Sequence, residues 1–426
     1  MRAHELLYEA VSPKKEVADL VKKTKNTGLL TQLLNFISSK VKLEEPEPPT
    51  EPNPTPTPNP EPVHEATESD LKSQVLGMLD KLDSNSPEWE KIIGVLRKDE
   101  LSQLSTQAVQ HKMGSVNGHL DKKLRDMVNR LKVPFEQKEA FLMTLAKGDG
   151  FFDGKQMLAS NNGNIYSMIS SDPVATDLAP KMALEFAGSM GYGPDQGPGE
   201  IMMVLLGKNI GLATKGDLVV GNKTVEVKAT GKGAKSGKLS GGRLYSTTGY
   251  GANTQIKREL FHHLVAAGIP EDTLLQYGFP KKDPNVKVVT GGLNLNNAGL
   301  TNLNKLISEY KLGKDKTTDI IRVILNGLYT QLPDGLADGV YNLIKSNGSF
   351  DPTAFLIELT KLAHVYYMMH EGHDILMLFN SDSGNYASME TAEEVGSLLK
   401  SGKIGLTAHL DLNDDRSKGS SQLIVK

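Results

Sequence analysis

Three charged residues stand close together in the middle of the chain. Asp217 is followed nine residues later by Glu226, and Lys228 comes two residues after Glu226. The residues between the two acids are strand formers on either side of Gly221-Asn222, which predicts a β-hairpin with a two-residue turn. With that turn, Asp217 should face Glu226 across the hairpin, and strand alternation places Lys228 on the face of Glu226. Two carboxylates and an ammonium group are therefore predicted to converge.

Two acids facing each other need a compensating charge. Directly opposed like charges destabilise a strand pair, and carboxylate oxygens are the ligands that Mg²⁺ prefers, with Mn²⁺ as the alternative ion. Such an ion polarises a phosphate and lowers the pKa of an attacking water, while a neighbouring lysine positions that water or offsets developing charge. The three side chains therefore suit the hydrolysis of a phosphodiester bond.

The segments on either side of the hairpin carry further candidates. A short apolar helix is predicted to begin at Glu200, whose carboxylate is either a partner of the helix dipole or a fourth site residue. From Glu200 to Glu259 there are ten Lys or Arg residues against four acids, in a chain whose net charge is −3. A Gly- and Ser-rich loop follows the hairpin, and its cations are either solvated or in contact with a DNA backbone. The predicted nucleic-acid contacts are Lys232, Lys235, Lys238, Arg243 and, at the start of the next helix, Gln255.

The spacing of Asp217, Glu226 and Lys228 resembles the PD-(D/E)xK nuclease superfamily, which has the restriction-endonuclease-like fold. The resemblance implies that Asp217 and Glu226 bind metal, that Lys228 is the catalytic lysine and that Glu200 is an auxiliary acid and metal ligand. It also implies Mg²⁺-dependent cleavage of DNA by an endonuclease.

This resemblance covers residues 195–260, and the strands expected after residue 280 are compatible with it. One position departs from the family pattern, since the proline expected before the first acid is replaced by Lys215-Gly216. Another charged cluster, His370-Glu-Gly-His373, does not have the spacing of a helical zinc site. We interpret it as structural, or at most as a contact at the rim of a nucleic-acid site.

Composition divides the chain into four segments. Residues 1–42 predict one or two helices that form a docking element for an unknown protein partner. Residues 43–65 contain nine prolines and predict an extended linker, which either reaches towards that partner or is a passive spacer. Residues 66–147 predict a helical domain. Residues 148–426 interleave strands and helices, which predicts an α/β (α+β) restriction-endonuclease-like domain with a central mixed sheet.

The remaining features limit the cellular setting. The chain has no cysteine, which excludes disulfides and thiolate zinc sites. No apolar run is long enough for a membrane span, and residues 1–8 do not resemble a secretory signal. We therefore expect a cytoplasmic protein, in the host cytoplasm or the virion if a bacteriophage encodes it. Cutting both strands of a duplex would need a homodimer or two passes.

Two alternatives to a nuclease remain at this point. One is a structural or adaptor protein, such as one of a virion, whose nuclease-like domain binds nucleic acid without cutting it. The other is a DNA-binding module in which the Lys and Arg loop carries the function and the acids are incidental.

Overall fold

The computed structural model describes the residues in ten segments and places them in two units. The segments are 12–41, 66–115, 118–186, 197–214, 216–230, 242–244, 252–279, 284–329, 332–408 and 421–426. The first unit is Met1–Lys147 and the second is Gly148–Lys426. No helix within these segments is both long enough and apolar enough to cross a membrane.

The first unit is helical wherever the structure describes it. Its helices are α1 (Pro13–Lys23), α2 (Thr27–Lys40), α3 (Glu68–Leu79), α4 (Glu88–Met113), α5 (Gly118–Arg130) and α6 (Phe135–Ala146). Local capping fixes several of the starts: Ser12 accepts a hydrogen bond at the start of α1, and Thr67 and Asp70 form a reciprocal capping box at the start of α3.

The two N-terminal helices differ from the expected separate docking element. Buried leucine, isoleucine and valine side chains of α1 and α2 share one core with those of α3 and the first half of α4, including Trp89. Val17, Leu30 and Ile37 are fully buried in this core. The apolar faces of these helices are therefore covered within the first unit, because burying them there removes them from water.

The second unit begins with short strands and helices that lead to the hairpin. These elements are β1 (Phe152–Asp153), α7 (Gly154–Ser160), β2 (Asn162–Asn164), α8 (Ile165–Met168), α9 (Pro173–Glu185), α10 (Pro198–Leu206), β3 (Gly207–Lys208), β4 (Ile210–Leu212), β5 (Leu218–Val220), β6 (Lys223–Ala229) and β7 (Gly242–Leu244).

Helices then predominate until the last strands. These elements are α11 (Ala252–Ala266), α12 (Glu271–Gln276), α13 (Asn297–Glu309), α14 (Gly313–Leu328), α15 (Asp338–Tyr341), α16 (Pro352–Glu371), β8 (Ile375–Phe379), β9 (Asn385–Met389), α17 (Ala392–Lys400), β10 (Ile404–Ala408) and β11 (Ser421–Val425). Residues 286–289 do not form a strand.

A mixed sheet organises the second unit. Its strand order in the described residues is β2-β9-β8-β6-β5-β4. The pairings of β4 with β5, β5 with β6, β8 with β9 and β9 with β2 are antiparallel, whereas β6 and β8 are parallel. The unit is therefore mixed α/β, as the sequence predicts. Two smaller sheets join β1 to β3 and β10 to β11 and β7.

Helix α16 covers the face of the sheet that carries Glu226. In the parallel register, Glu226 lies beside Leu376 and Lys228 lies beside Leu378. Both leucines are fully buried in a core that also contains Phe355, Leu359 and other side chains of α16. Because side chains alternate along a strand, this core lies on the same face as Glu226 and Lys228, which brings α16 next to them.

Candidate active site

The β5–β6 hairpin has the register that the sequence predicts. Leu218 pairs with Val225, Val219 with Thr224 and Val220 with Lys223, which leaves Gly221-Asn222 as the turn. Gly221 has a φ of 66°, a left-handed conformation that glycine adopts without steric cost. The hairpin thereby fixes Glu226 and Lys228 in β6 with their side chains on one face.

Asp217 lies outside the strand ladder, so it is not the directly opposed partner of Glu226 that the sequence predicts. Gly216 has a φ of 86° and bends the chain just before it. The Asp217 amide donates to the carbonyl of Val225 (3.2 Å), and its Oδ2 accepts from the Val227 amide (2.6 Å). Asp217 is therefore held against the backbone of β6 on either side of Glu226.

The bend is incompatible with a proline at position 216. Proline requires a φ near −65°, which is incompatible with the conformation of Gly216. A Cβ atom at Gly216 would lie 2.9 Å from Nδ1 and 3.0 Å from Cε1 of His373. Only glycine combines this backbone conformation with this contact, so the departure from the family pattern has a local steric cause.

Glu226 is the most heavily bonded acid of the site. Its Oε1 accepts a hydrogen bond from the Tyr367 hydroxyl (2.9 Å) and forms an ion pair with Lys228. Its Oε2 lies 3.2 Å from Nε2 of His373. The Lys228 ammonium also lies 5.8 Å from the centre of the Tyr367 ring, within range of a cation–π interaction. Side chains from β6, from α16 and from the residues just before β8 thus meet at the Glu226 carboxylate.

Glu200 approaches from a different element. It is only 9% exposed, and its Oε2 accepts a hydrogen bond from the Gly197 amide (2.6 Å) at the start of α10. The adjacent Gly199 lies against Phe379, the last residue of β8. The first turn of α10 is therefore seated at the end of the sheet where β6 and β8 both finish.

The charges of the three acids act on one another. Burial raises the pKa of Glu200, and the negative charge of Asp217 raises it further, to about 8. Glu226 adds to the same effect, while the hydrogen bond from Gly197 and the charge of Lys228 oppose it. Burial together with the charge of Glu226 also raises the pKa of Tyr367, which keeps its hydroxyl protonated as a donor. These shifts place Asp217, Glu226 and Glu200 in one electrostatic environment.

The donor set suits a hard divalent cation, because carboxylate oxygens are the ligands that Mg²⁺ prefers. The side-chain positions are not those of a ready metal site: in the segments that the structure describes, no three His, Asp or Glu side chains are arranged to hold a metal ion. Glu226 is bonded to Lys228 and Tyr367, and Glu200 caps its own helix. Metal binding by all three acids would require the Glu200 side chain to turn away from its cap.

The residues predicted to contact nucleic acid fall largely outside the described residues. Lys232, Lys235 and Lys238 lie in the undescribed segment 231–241. Arg243 is in β7, where its backbone pairs with Gln422 of β11, and Gln255 is in α11; neither side chain is described.

Tyr367 and His373 were not predicted from the sequence as site residues. His373 was interpreted as structural or as a rim contact, yet its side chain is 5% exposed and faces Glu226. The parallel pairing of β6 with β8 brings it there from about 150 residues away. One sequence signal could have identified His373. It lies two residues before the apolar strand β8, so the pairing of β8 with β6 determines the position of His373 relative to Glu226.

No protein-family model, curated protein or solved structure matches this chain. The family resemblance therefore depends on the acids, the lysine and the hairpin alone.

Proposed function

We propose that the second unit is a Mg²⁺-dependent endonuclease that hydrolyses DNA phosphodiester bonds, with the restriction-endonuclease-like fold. The observation that carries this proposal is the gathering of Glu200, Asp217 and Glu226 from separate elements around one lysine. Burial and then the negative charges of Asp217 and Glu226 raise the pKa of Glu200, and a bound cation would offset that repulsion.

Each residue has a role in this proposal. Asp217 and Glu226 would hold the metal, with Glu200 as an auxiliary ligand, and Mn²⁺ would substitute for Mg²⁺. The bound ion would supply polarisation of the phosphate and activation of a water molecule. Lys228, held at Glu226 by their ion pair, would place its ammonium beside the reacting phosphate to offset developing charge.

The proposed substrate contacts come from residues 232–255, which follow β6 in the sequence. Lys232, Lys235, Lys238, Arg243 and Gln255 would contact the DNA backbone without reading its sequence. Affinity for DNA should then fall steeply as salt rises, because lysine and arginine contacts release counterions from the phosphates.

The decisive experiment is cleavage of plasmid DNA by the purified full-length chain with Mg²⁺. Wild type should nick or cut it, and Glu226→Ala and Lys228→Ala should each abolish cleavage while the circular dichroism spectrum stays that of the wild type. Absence of cleavage by wild type with Mg²⁺ or Mn²⁺, on duplex or single-stranded DNA or RNA, would reject the enzyme. Cleavage that survives both substitutions would reject the site.

A second candidate is a nucleic-acid-binding structural or adaptor protein that does not cut. The arrangement of Glu226 favours it, because a carboxylate already bonded to Lys228, Tyr367 and His373 is stable without metal. Salt-sensitive DNA binding without cleavage by wild type would support this candidate over the nuclease.

Further parts of the proposal concern assembly and setting. Within the described residues 12–41, a protein partner would bind surface that α1 and α2 leave exposed, since their apolar faces are buried. Cutting both strands of a duplex would require a homodimer or two passes. We propose a cytoplasmic protein, which would act in the host cytoplasm or the virion if a bacteriophage encodes it.

A further inference from the structure

Glu226 is held by donors that no metal-binding motif specifies. Tyr367 comes from α16, near the end of that helix, and His373 lies just before β8. Both are buried: Tyr367 is 5% exposed, and so is the side chain of His373. Each lies within hydrogen-bonding distance of a different oxygen of Glu226.

The tautomer of His373 follows from its surroundings. Its Nδ1 is buried and has no hydrogen-bond partner among the described residues, and it lies against Gly216. A proton on Nδ1 would therefore be a buried donor without an acceptor, which is costly. The tautomer with the proton on Nε2 avoids this cost, and Nε2 then donates to Oε2 of Glu226.

The two donors leave a defined part of the carboxylate available. A carboxylate offers about four acceptor positions, two on each oxygen. In the described structure, Tyr367 and Lys228 occupy Oε1, while His373 alone approaches Oε2. One acceptor position therefore remains on Oε2, and rotation of the carboxylate is opposed from both sides.

We infer that Tyr367 and His373 are positioning residues that orient the Glu226 carboxylate for a divalent cation. This inference rests on the proposed function of the same site. Neither residue contacts the substrate or the metal in this role. Each acts through Glu226, in the way that hydrogen-bond partners of metal ligands restrict the orientation of those ligands.

Glycine at position 216 belongs to the same arrangement. Any larger residue there would place a Cβ atom on the imidazole ring of His373. The ring therefore contacts the segment that leads into Asp217 as well as bonding to Glu226. His373 is therefore next to both Glu226 and the residue that precedes Asp217.

The test measures metal binding separately from cleavage. Mn²⁺ titration of the full-length chain, followed by electron paramagnetic resonance, would give the dissociation constant for wild type, Tyr367→Phe, His373→Leu and His373→Gln. Loss of a bond that orients a metal ligand costs roughly 10–100-fold in affinity. We expect weakening of this size in Tyr367→Phe and His373→Leu, and recovery of most of the affinity in His373→Gln, whose amide can still donate.

Matched controls separate orientation from a general loss of packing. Tyr386→Phe removes another buried hydroxyl, which donates to the carbonyl of Met157 (3.0 Å). His364→Gln changes another buried histidine, whose Nε2 lies 3.3 Å from the carbonyl of Met389. Both controls should bind Mn²⁺ as wild type does. Cleavage by Tyr367→Phe should recover at high Mg²⁺, which a purely structural defect would not allow.

The outcomes distinguish this inference from the proposed function. Unchanged Mn²⁺ affinity in both Tyr367→Phe and His373→Leu would overturn the positioning role, even if wild type cuts DNA. Equal weakening in the control variants would overturn it as well. Weakened binding in these two variants alone, together with a wild type that binds Mn²⁺ but does not cut, would support the positioning role and reject the nuclease. A wild type that binds no Mn²⁺ would reject both.

Discussion

Each unit of the chain contains a cluster of partly buried acids with one lysine, and the charges of the two clusters are balanced differently. In the first unit, the Lys23 ammonium lies 2.8 Å from carboxylate oxygens of both Glu100 and Glu139. Burial raises the pKa of Glu100, while the bond from Lys23 lowers it. These hydrogen bonds to the two acids also raise the pKa of Lys23. One lysine here forms ion pairs with two acids.

In the second unit, Lys228 is bonded to Glu226, and its effect on Glu200 is smaller than the repulsion from Asp217. Burial and the negative charge of Asp217 together raise the pKa of Glu200 to about 8. The comparison teaches that burial of acids is not itself a sign of function. The informative difference is negative charge that the surrounding side chains leave uncompensated, because a metal can supply the balance.

The largest expected effect comes from substituting Glu226, with a substitution of Glu100 in the first unit as the matched control. Glu226→Gln should lower DNA cleavage by at least about 10²-fold, because even residues behind a metal ligand contribute roughly 10–100-fold. Glu100→Gln, in the first unit, should leave cleavage unchanged. The measurement is the initial rate of plasmid nicking with Mg²⁺. Equal rates for Glu226→Gln and wild type would remove the functional distinction between the clusters.

The next effect concerns the pH dependence of folding. The pKa of Glu200 is about 8 in the folded protein against 4.5 for an ordinary glutamate, so the folded state holds its proton more tightly. This contribution favours folding below pH 4.5 and is lost as pH rises to 8. Glu200→Gln keeps an oxygen for the Gly197 cap but carries no charge. Above pH 8 it should stabilise the second unit by on the order of 5 kcal/mol.

The measurement for Glu200→Gln is urea unfolding followed by circular dichroism at several pH values. The difference in the free energy of unfolding between Glu200→Gln and wild type should grow from near zero at pH 4.5 to its full size at pH 8. Saturating Mg²⁺ should reduce this difference, because the cation stabilises the charged wild-type carboxylate. A difference that is independent of pH would contradict the raised pKa of Glu200.

A smaller effect is expected from removing the cation of the first cluster. Lys23→Met leaves Glu100 and Glu139 without their shared partner, and should destabilise the first unit by about 1–2 kcal/mol, since the lysine is half-exposed. The loss should shrink in acid, where protonated carboxyls no longer repel each other. Fluorescence of Trp89, the single tryptophan of the chain, reports unfolding of this unit. A pH-independent loss would mean that packing, not charge, is responsible.

The smallest effect concerns Asp374, an exposed acid that accepts two hydrogen bonds through one oxygen. Oδ2 of Asp374 accepts from the amide (2.7 Å) and hydroxyl (2.9 Å) of Thr224, and these bonds lower the pKa of Asp374. Asp374→Ala should cost about 1 kcal/mol at neutral pH. That loss should disappear as pH falls below the ordinary aspartate range. Hydrogen exchange of peptides from β6 and β8 would measure this loss of stability. Unchanged exchange in Asp374→Ala would contradict a stabilising role for the hydrogen bonds between Asp374 and Thr224.

Local chemistry made part of the site predictable. The Gly221-Asn222 turn fixes the hairpin register, and strand alternation then places Glu226 and Lys228 on one face. The strand β8 can also be recognised in the sequence, because its five consecutive apolar residues favour a buried central strand. All five are buried in the structure. These features depend on residues that are neighbours in the sequence.

The rest depends on contacts between distant segments. The bend at Gly216 places Asp217 outside the ladder, and that bend accompanies a contact with His373, which the hairpin sequence does not contain. Tyr367 reaches Glu226 only because α16 lies across the sheet. The packing of α1 and α2 could not be predicted from the sequence for the same reason. The proline-rich segment 43–65 separates these helices in sequence from the helices that share their core.

The parallel pairing of β6 with β8 has a consequence during synthesis of the chain. Glu226 and Leu376 are neighbours in the sheet, but the ribosome makes them about 150 residues apart. At about 5–20 residues per second, roughly 7–30 s pass between them. During that interval Glu226 can have neither Tyr367 nor His373 as a partner. The nascent chain carries its acids and lysine well before it can hold them in place, so the site is completed only when most of the protein has left the ribosome.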